Sequence, residues 1–384
     1  MKDQLLNIYK KAKISHGDHK ILENNILISF NNGAKVEVLG KNDEEYNVKF
    51  FDKKENLLIY DSVITNNTWA SPSPKYFVNW RIEINRKKAA KDYSFEFDLK
   101  NKTIKIVNES PSLGDCIAWT PYVIEFQKTH QCTIDFYTPH SEILSNNNEN
   151  INILQYSKKN NSIDYYASYD LGYYCEDLNK SCKDPRTQSL QEVAANILGL
   201  KYKEIIPEIK INNKERNIAE KYVCISTSST SGCKHWQRKN GWQDVVDYLN
   251  NLGYKVVVIQ KDSLNYMDLQ GLNNVIHPET NDIQKAITWL TNCEFFIGLG
   301  SGISWLSWAL NKKVILISGF SKSFTEFNTP YRVINSSVCN GCWNDVNFKF
   351  NGGDWNWCPR NKDFECSKEI SFEMVKEKID KIIK

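Results

Sequence analysis

The chain has 384 residues, of which 41% are hydrophobic and 25% charged, and 49 Lys and Arg against 46 Asp and Glu leave a formal net charge of +3. That length suits two or three globular domains, and interspersed charge near neutrality excludes bulk electrostatic capture of nucleic acid, which needs a concentrated basic face. No apolar run reaches the ~20 residues of a membrane span, and MKDQLLNIYKKAK at the start lacks the features of a signal peptide, so the expected location is cytoplasmic, where eleven cysteines do not imply a disulfide framework.

Residues 1–100 read as β. NILISF, AKVEVLG, YNVKFFD, NLLIYDSVI, FVNWRIEI and DYSFEFDL are short alternating runs, most of them separated by turn residues such as NNG at 31–33 and KNDEE at 41–45. Strands at this spacing predict a small barrel or sandwich. WASPSPKY at 69–76, with two prolines, predicts a loop. This region holds no cluster of chemistry-bearing residues, which suggests an accessory or assembly domain.

From residue 101 the pattern changes to strand, helix, strand: TIKIVN, then CIAWTPYVIEFQKTH, then CTIDFYTP. Pro121 inside the helical run predicts an irregular first turn. Asp115, in SPSLGDCIAW, falls at the mouth of that helix. There a carboxylate either caps the helix or, kept ionised by the helix dipole, removes a proton from an attacking hydroxyl; the segment alone does not separate the two. PRTQSLQEVAANILGL at 185–200 predicts an amphipathic helix, with Leu190, Val193, Ala194 and Ile197 on one face. IPEIKINNKERNIAEK at 206–221 is polar and weakly patterned, as a linker between two halves would be.

Beyond it, YVCIS, WQDVVDYLNNLGY, KVVVIQ, NDIQKAITWLTN, EFFIG, SGISWLSWALN and KVILIS alternate strand and helix. Continuous apolar strands such as KVVVIQ suit a parallel sheet buried on both faces. The chain thus divides into a β region at 1–100, a first α/β half at 101–210 and a second at 211–384. ISTSSTSGCKHWQRKNGW at 225–242 follows a strand and is dense in hydroxyls; Thr230, Ser231 and Lys234 can meet phosphate oxygens, with His235 beside them, although a solvated polar loop has the same composition. FFIGLGSGISWLSWAL at 295–310 turns from strand to helix on Gly298, Gly300 and Gly302, with Ser301 between the last two. Such a turn lets backbone approach a diphosphate at a helix N-terminus, and tight turns use glycine anyway. Trp305 and Trp308 read as helix packing. Cys339-x2-Cys342, followed by Cys358 and Cys366, gives four thiols within 28 residues, a plausible tetrathiolate site for zinc or iron. Its C-x7-C second pair departs from a standard zinc ribbon. The other cysteines read mostly as small buried hydrophobes.

Together, NESPSLGDCIAW, STSSTSGCKHW, FFIGLGSGISWLSWAL and the four-cysteine tail resemble the bacterial autotransporter heptosyltransferases, relatives of the lipopolysaccharide heptosyltransferases. The resemblance covers nearly the whole chain. It implies a GT-B glycosyltransferase with two Rossmann-like domains behind an N-terminal all-β domain, ADP-heptose as donor, and serine hydroxyls of autotransporter adhesin passenger domains as acceptors. It implies Asp115 as catalytic base, Lys234 on the donor diphosphate, Gly300, Ser301 and Gly302 at its phosphate end, and a structural iron on Cys339, Cys342, Cys358 and Cys366. It also implies a homo-oligomer, in the family a dodecamer, built through the β domain. Cys116 departs from the pattern, standing where a threonine or similar residue is expected. Two other readings stay open: transfer to lipopolysaccharide core, against which the β region and the cysteine tail speak, and a non-catalytic nucleotide-sugar-binding assembly protein.

Overall fold

The computed structural model describes residues 20–23, 26–41, 44–86, 92–145, 147–157, 165–260, 271–280, 282–348 and 356–384. The segments 1–19 and 349–355, the latter inside the expected cysteine knuckle, lie outside the described residues.

Two strand patterns sort the chain into three sheets. The first is alternation. In β4 (Glu45–Asp52) and β7 (Trp80–Arg86), Tyr46, Val48, Phe50, Ile82 and Ile84 are fully buried while their neighbours point outward. The two strands pair antiparallel with Val48 opposite Ile84 and Phe50 opposite Ile82, so one face carries the core. With β5 (Leu57–Thr65) and β8 (Asp92–Glu96) they form a four-stranded sheet in the order β5-β4-β7-β8. The second pattern is the continuous apolar run. β13 (Tyr222–Ile225) and β16 (Val314–Ile317) are buried at every position, and they lie in an all-parallel sheet, β14-β13-β15-β16-β17, with β14 (Lys255–Val258), β15 (Phe296–Leu299) and β17 (Arg332–Val333).

The remaining strands give a finding that the sequence did not anticipate. β9 (Thr103–Asn108), β10 (Thr133–Thr138), β11 (Ile151–Gln155) and β12 (Ala167–Leu171) form the parallel layer of the first α/β half, and β2 (Ile26–Asn31) joins its edge, parallel to β12. β3 (Lys35–Val38) and β6 (Thr68–Ala70) extend it antiparallel, and β1 (Lys20–Glu23) pairs with β2. The N-terminal strands therefore do not close into a barrel of their own. The reason is legible in β2: Ile26, Leu27, Ile28, Ser29 and Phe30 are all buried, so this strand needs cover on both faces, which an α/β layer supplies. The two N-terminal sheets share one continuous core with the α/β half.

Helix Leu113–His130 runs without a break through Pro121. The proline removes the bond to the Ile117 carbonyl, and the adjacent Thr120 hydroxyl donates to the Cys116 carbonyl at 2.7 Å. Ser112 caps the helix start, accepting from the Asp115 amide. Helix Leu190–Ile197 is capped by Ser189, which accepts from the Glu192 amide. Segment 206–221 carries no helix or strand beyond the isolated bridge of Ile209 to Leu144.

Candidate active site

The carboxyl ends of β9, β12, β13, β14 and β15 all open on one cleft of about 1300 Å³, where ligands of parallel α/β sheets sit. The first turn of helix Leu113–His130, after β9, brings Asp115, the loop after β13 brings Thr230, Ser231 and Lys234, and the turn after β15 brings Gly300, Ser301 and Gly302. All seven line the cleft.

Close contact between two helix starts sets the geometry. A Cβ on Gly302 would sit 2.7 Å from Leu113 Cβ and 3.1 Å from the Gly114 amide nitrogen, and one on Gly114 would sit 3.2 Å from Trp305 Cδ1. Glycine at both positions lets helix Leu113–His130 meet helix Gly302–Ala309 across the two halves. Behind the contact Trp305, Trp308 and Phe327 pack as a ring cluster with centroids 5.1 to 5.5 Å apart, the packing role expected of both tryptophans.

Asp115 is buried, at 7% exposure. Ser110 Oγ donates to its Oδ2 at 2.5 Å and Tyr173 Oη to its Oδ1 at 3.5 Å. Burial pushes its pKa up, and the hydrogen bonds of Ser110, Ser112 and Tyr173 with the charge of Lys234 only partly offset that. This corrects the expectation that the helix N-terminus dominates: desolvation of the charged form wins. A carboxylate held above its usual range, yet supported by a cation and two hydroxyl donors, suits a proton acceptor. The cap and the base are not alternatives here, because Ser112 performs the capping and leaves the Asp115 side chain to the cleft.

Ser301 precedes helix Gly302–Ala309 as its cap residue without a side-chain cap bond, and its Oγ is buried with no hydrogen-bond partner among the described residues. A buried hydroxyl at a glycine-rich helix start is free to donate to an anionic ligand placed there. Lys234 ends the turn Gly232–Lys234 and lies close enough to Asp115 for its charge to act on the carboxylate. His235 does not join them. It is 1% exposed, with Nε2 at 3.1 Å from the Ser229 amide nitrogen and 3.0 Å from the Ser229 carbonyl, so it holds the hydroxyl-rich loop from behind.

Three cleft residues escaped the sequence reading. Glu326 faces Gly300, where a Cβ would sit 2.7 Å from its Oε1; Arg332 pairs with it at 2.9 Å, the two side chains 10% and 8% exposed, and Ser321 donates to it at 2.5 Å. Tyr173 reaches Asp115 from the loop after β12, and Trp343 comes from the cysteine loop. Only Tyr173 carried a signal, its place just past a strand's carboxyl end.

The cysteine loop is fastened to the first half of the chain. Arg186 donates from Nη1 to the Val346 and Phe348 carbonyls, both at 3.1 Å, and Asn344 Nδ2 donates to the Arg186 carbonyl at 2.7 Å. Cys342 and Cys366 are buried, and Cys339 and Cys358 are half-buried. Burial, with Cys339, Cys358 and Cys233 and against Arg360, pushes Cys342 up to about 11, and burial with Cys339, Cys342, Cys358 and Cys233 pushes Cys366 up to about 12. Such a donor set suits a cation, which would relieve that mutual repulsion. Among the described residues, however, no three His, Cys, Asp or Glu side chains are gathered at metal-holding distance. Cys175 and Cys182 are free thiols.

Residues 155–351 match the family model of glycosyltransferase family 9, the heptosyltransferases. The autotransporter heptosyltransferase Aah of Escherichia coli is 34% identical over 367 residues, 92% of this chain and 92% of Aah. The chain belongs to the family 9 heptosyltransferases. Among solved structures, the iron-containing dodecameric glycosyltransferase TibC of enterotoxigenic E. coli superposes with a TM-score of 0.88 at 32% identity, covering 96% of this chain and 98% of that one; TibC has also been solved in complex with ADP-D-β-D-heptose. The inactive autotransporter heptosyltransferase BimC of Burkholderia thailandensis is 31% identical over 93% of this chain and 86% of its own length. In this heptosyltransferase the family match takes in Lys234, Gly300, Ser301 and Gly302 and leaves Asp115 upstream, whereas the full-length relatives extend over the N-terminal sheets as well. Among the described residues no helix is long and apolar enough to cross a membrane.

Proposed function

We propose that this enzyme moves heptose from ADP-glycero-manno-heptose to serine hydroxyls of autotransporter adhesin passenger domains, in the cytoplasm before their export, on the two-lobed GT-B plan. The observation that carries the reading is that Asp115 and Lys234 line one cleft, near enough for the lysine charge to act on the carboxylate, beside the contact of Gly114 with Gly302. The names of Aah and TibC supply the acceptor class, and the TibC complex supplies the donor.

The step is a single displacement. The serine oxygen attacks the anomeric carbon, Asp115 takes the hydroxyl proton late in the step, and the anomeric C–O bond breaks with its electron pair leaving on ADP. Negative charge grows on the diphosphate. Lys234 meets it as a point cation, Thr230, Ser231 and Ser301 as hydroxyl donors, and the opening N–H groups of helix Gly302–Ala309 as a fixed dipole. Lys234→Ala is therefore expected to weaken ADP binding and to lower transfer by about 10²-fold, read by titration calorimetry with ADP beside initial rates.

Cys339, Cys342, Cys358 and Cys366 would hold an iron ion, with zinc as the alternative, and the ion would cross-link the loop that carries Trp343. TibC is an iron-containing dodecamer, and an assembly built through residues 1–100 fits the surface found there. β5 is an edge strand of its sheet with Leu57 58%, Leu58 45%, Tyr60 37% and Val63 53% exposed, and Trp69 on β6 is 59% exposed. An apolar open edge is a template for association. Val63→Lys with Trp69→Glu is expected to reduce the assembly to smaller species in sedimentation while the monomer fold, followed by circular dichroism, persists.

The test of function is direct. The protein is incubated with ADP-heptose and a purified passenger repeat, and the repeat is weighed by mass spectrometry. Heptose-sized increments that Asp115→Ala abolishes support the assignment. An unmodified repeat sinks it, modification of a lipopolysaccharide-core acceptor instead would move the substrate class, and increments that survive Asp115→Ala would remove the base.

A further inference from the structure

Tyr173 stands where the two halves of the chain and the cysteine loop meet. Its ring lies 5.6 Å from Trp119 at 57° and 5.6 Å from Trp343 at 89°. Trp119 is fully buried in helix Leu113–His130, with its indole N–H donating to the Leu190 carbonyl at 2.9 Å. Trp343 follows Cys342, and its amide donates to the Phe320 carbonyl at 3.0 Å. The phenol is thus set between a fixed ring of the first half and a ring carried in by the cysteine loop. Its hydroxyl reaches the Asp115 oxygen that Ser110 does not take.

We propose that Tyr173 is a positioning residue for Asp115, clamped edge-on by Trp343, so that the four-cysteine loop fixes the orientation of the proton-accepting carboxylate. The proposal rests on the reading of Asp115 as the base. The geometry gives it content: Ser110 saturates one side of Oδ2 at 2.5 Å, while the 3.5 Å contact to Oδ1 orients the carboxylate and leaves that oxygen a lone pair for the acceptor proton. Hydroxyl donors favour the ionised form of a carboxylate. The groups acting on Asp115 are Ser110 and Ser112 from its own segment, Tyr173 from the loop after β12 and Lys234 from the second half. Tyr173 is 38% exposed overall, and desolvation at its hydroxyl end with the neighbouring Asp115, Glu326 and Cys175 pushes its phenol well above the ordinary range. His140 and Glu142 line the same wall of the cleft. Loss of the phenol hydroxyl therefore removes a donor and no charge.

The experiment measures kcat, KM and the pH dependence of kcat/KM for the full-length enzyme with ADP-heptose and a passenger repeat. It compares wild type, Tyr173→Phe, Trp343→Ala, the double variant and Asp115→Asn. Tyr173→Phe keeps both ring contacts, so its thermal unfolding midpoint should match wild type. It is expected to lower kcat about tenfold with KM little changed, and to move the acid limb up by roughly 0.5–1 pH unit. Trp343→Ala should shift the limb in the same direction, and the double variant should shift it no further, because both act through one contact. An unmoved acid limb in Tyr173→Phe, with Asp115→Asn inactive, overturns this proposal alone. A rise in KM at constant kcat overturns it too, making Tyr173 a substrate contact. Full activity in Asp115→Asn removes the base itself.

Discussion

Asp115→Asn is expected to lower the rate of heptosyl transfer by roughly 10²- to 10⁴-fold, the range for loss of a positioned general base, with the KM for ADP-heptose changed far less. The amide keeps the size and planarity of the carboxylate, and the cap on helix Leu113–His130 survives because Ser112 provides it. The loss is therefore chemical rather than structural, and an unchanged unfolding midpoint checks that point. The pH dependence follows from the same environment. Burial raises the Asp115 pKa, so in the wild type activity falls with decreasing pH in a window above the ordinary carboxylate range. Lys234 lowers that pKa, so Lys234→Ala should move the acid limb still higher. An acid limb at the ordinary carboxylate position would contradict the buried setting described here.

Gly302→Val is the second large effect. The nearest atoms to an added Cβ are Leu113 Cβ at 2.7 Å and the Gly114 backbone nitrogen at 3.1 Å. Neither is the far end of a flexible side chain, so the two helix starts must separate. The overpacking costs about 1–3 kcal/mol, visible as a lower unfolding midpoint. Activity should fall further than stability, by about 10²-fold, because small misplacements of reacting groups are that costly. The same separation carries Asp115 away from the diphosphate cradle. Gly271→Ala, where an added Cβ meets nothing within 4 Å among the described residues, serves as the comparison away from the cleft. Equal behaviour of the two variants would show that the helix contact does not set the site.

Most of the site was legible because its residues sit at fixed places in a repeating pattern. A strand followed by a helix that opens on Gly-Asp, a second followed by a hydroxyl run and a third followed by Gly-x-Gly each point past a carboxyl end, and parallel sheets gather those ends. Asp115, Lys234 and Ser301 were singled out this way, and all three line the cleft. Sequence left His235 open between a ligand contact and plain loop, because adjacency says nothing about which side of a loop a ring takes; it turns inward to Ser229. Glu326 and Arg332 were invisible because a buried ion pair has no local pattern, only a partner supplied by the fold. The cysteine spacing announced a cluster but not the gathering of its sulfurs, and it gave no hint that Arg186, more than 150 residues upstream, fastens that loop.

Periodicity and composition by themselves determined the strand and helix positions, the alternation that separates one-faced from two-faced strands, and the turns where glycine lets backbone approach a ligand. These are local properties, set by side-chain direction and backbone freedom within a few residues. The tertiary structure alone decided that β2 joins the α/β layer, that Gly114 and Gly302 touch, that burial outweighs the helix dipole at Asp115, and that Tyr173 sits between Trp119 and Trp343. Each depends on residues far apart in the chain, and desolvation and contact exist only once those residues have been packed together.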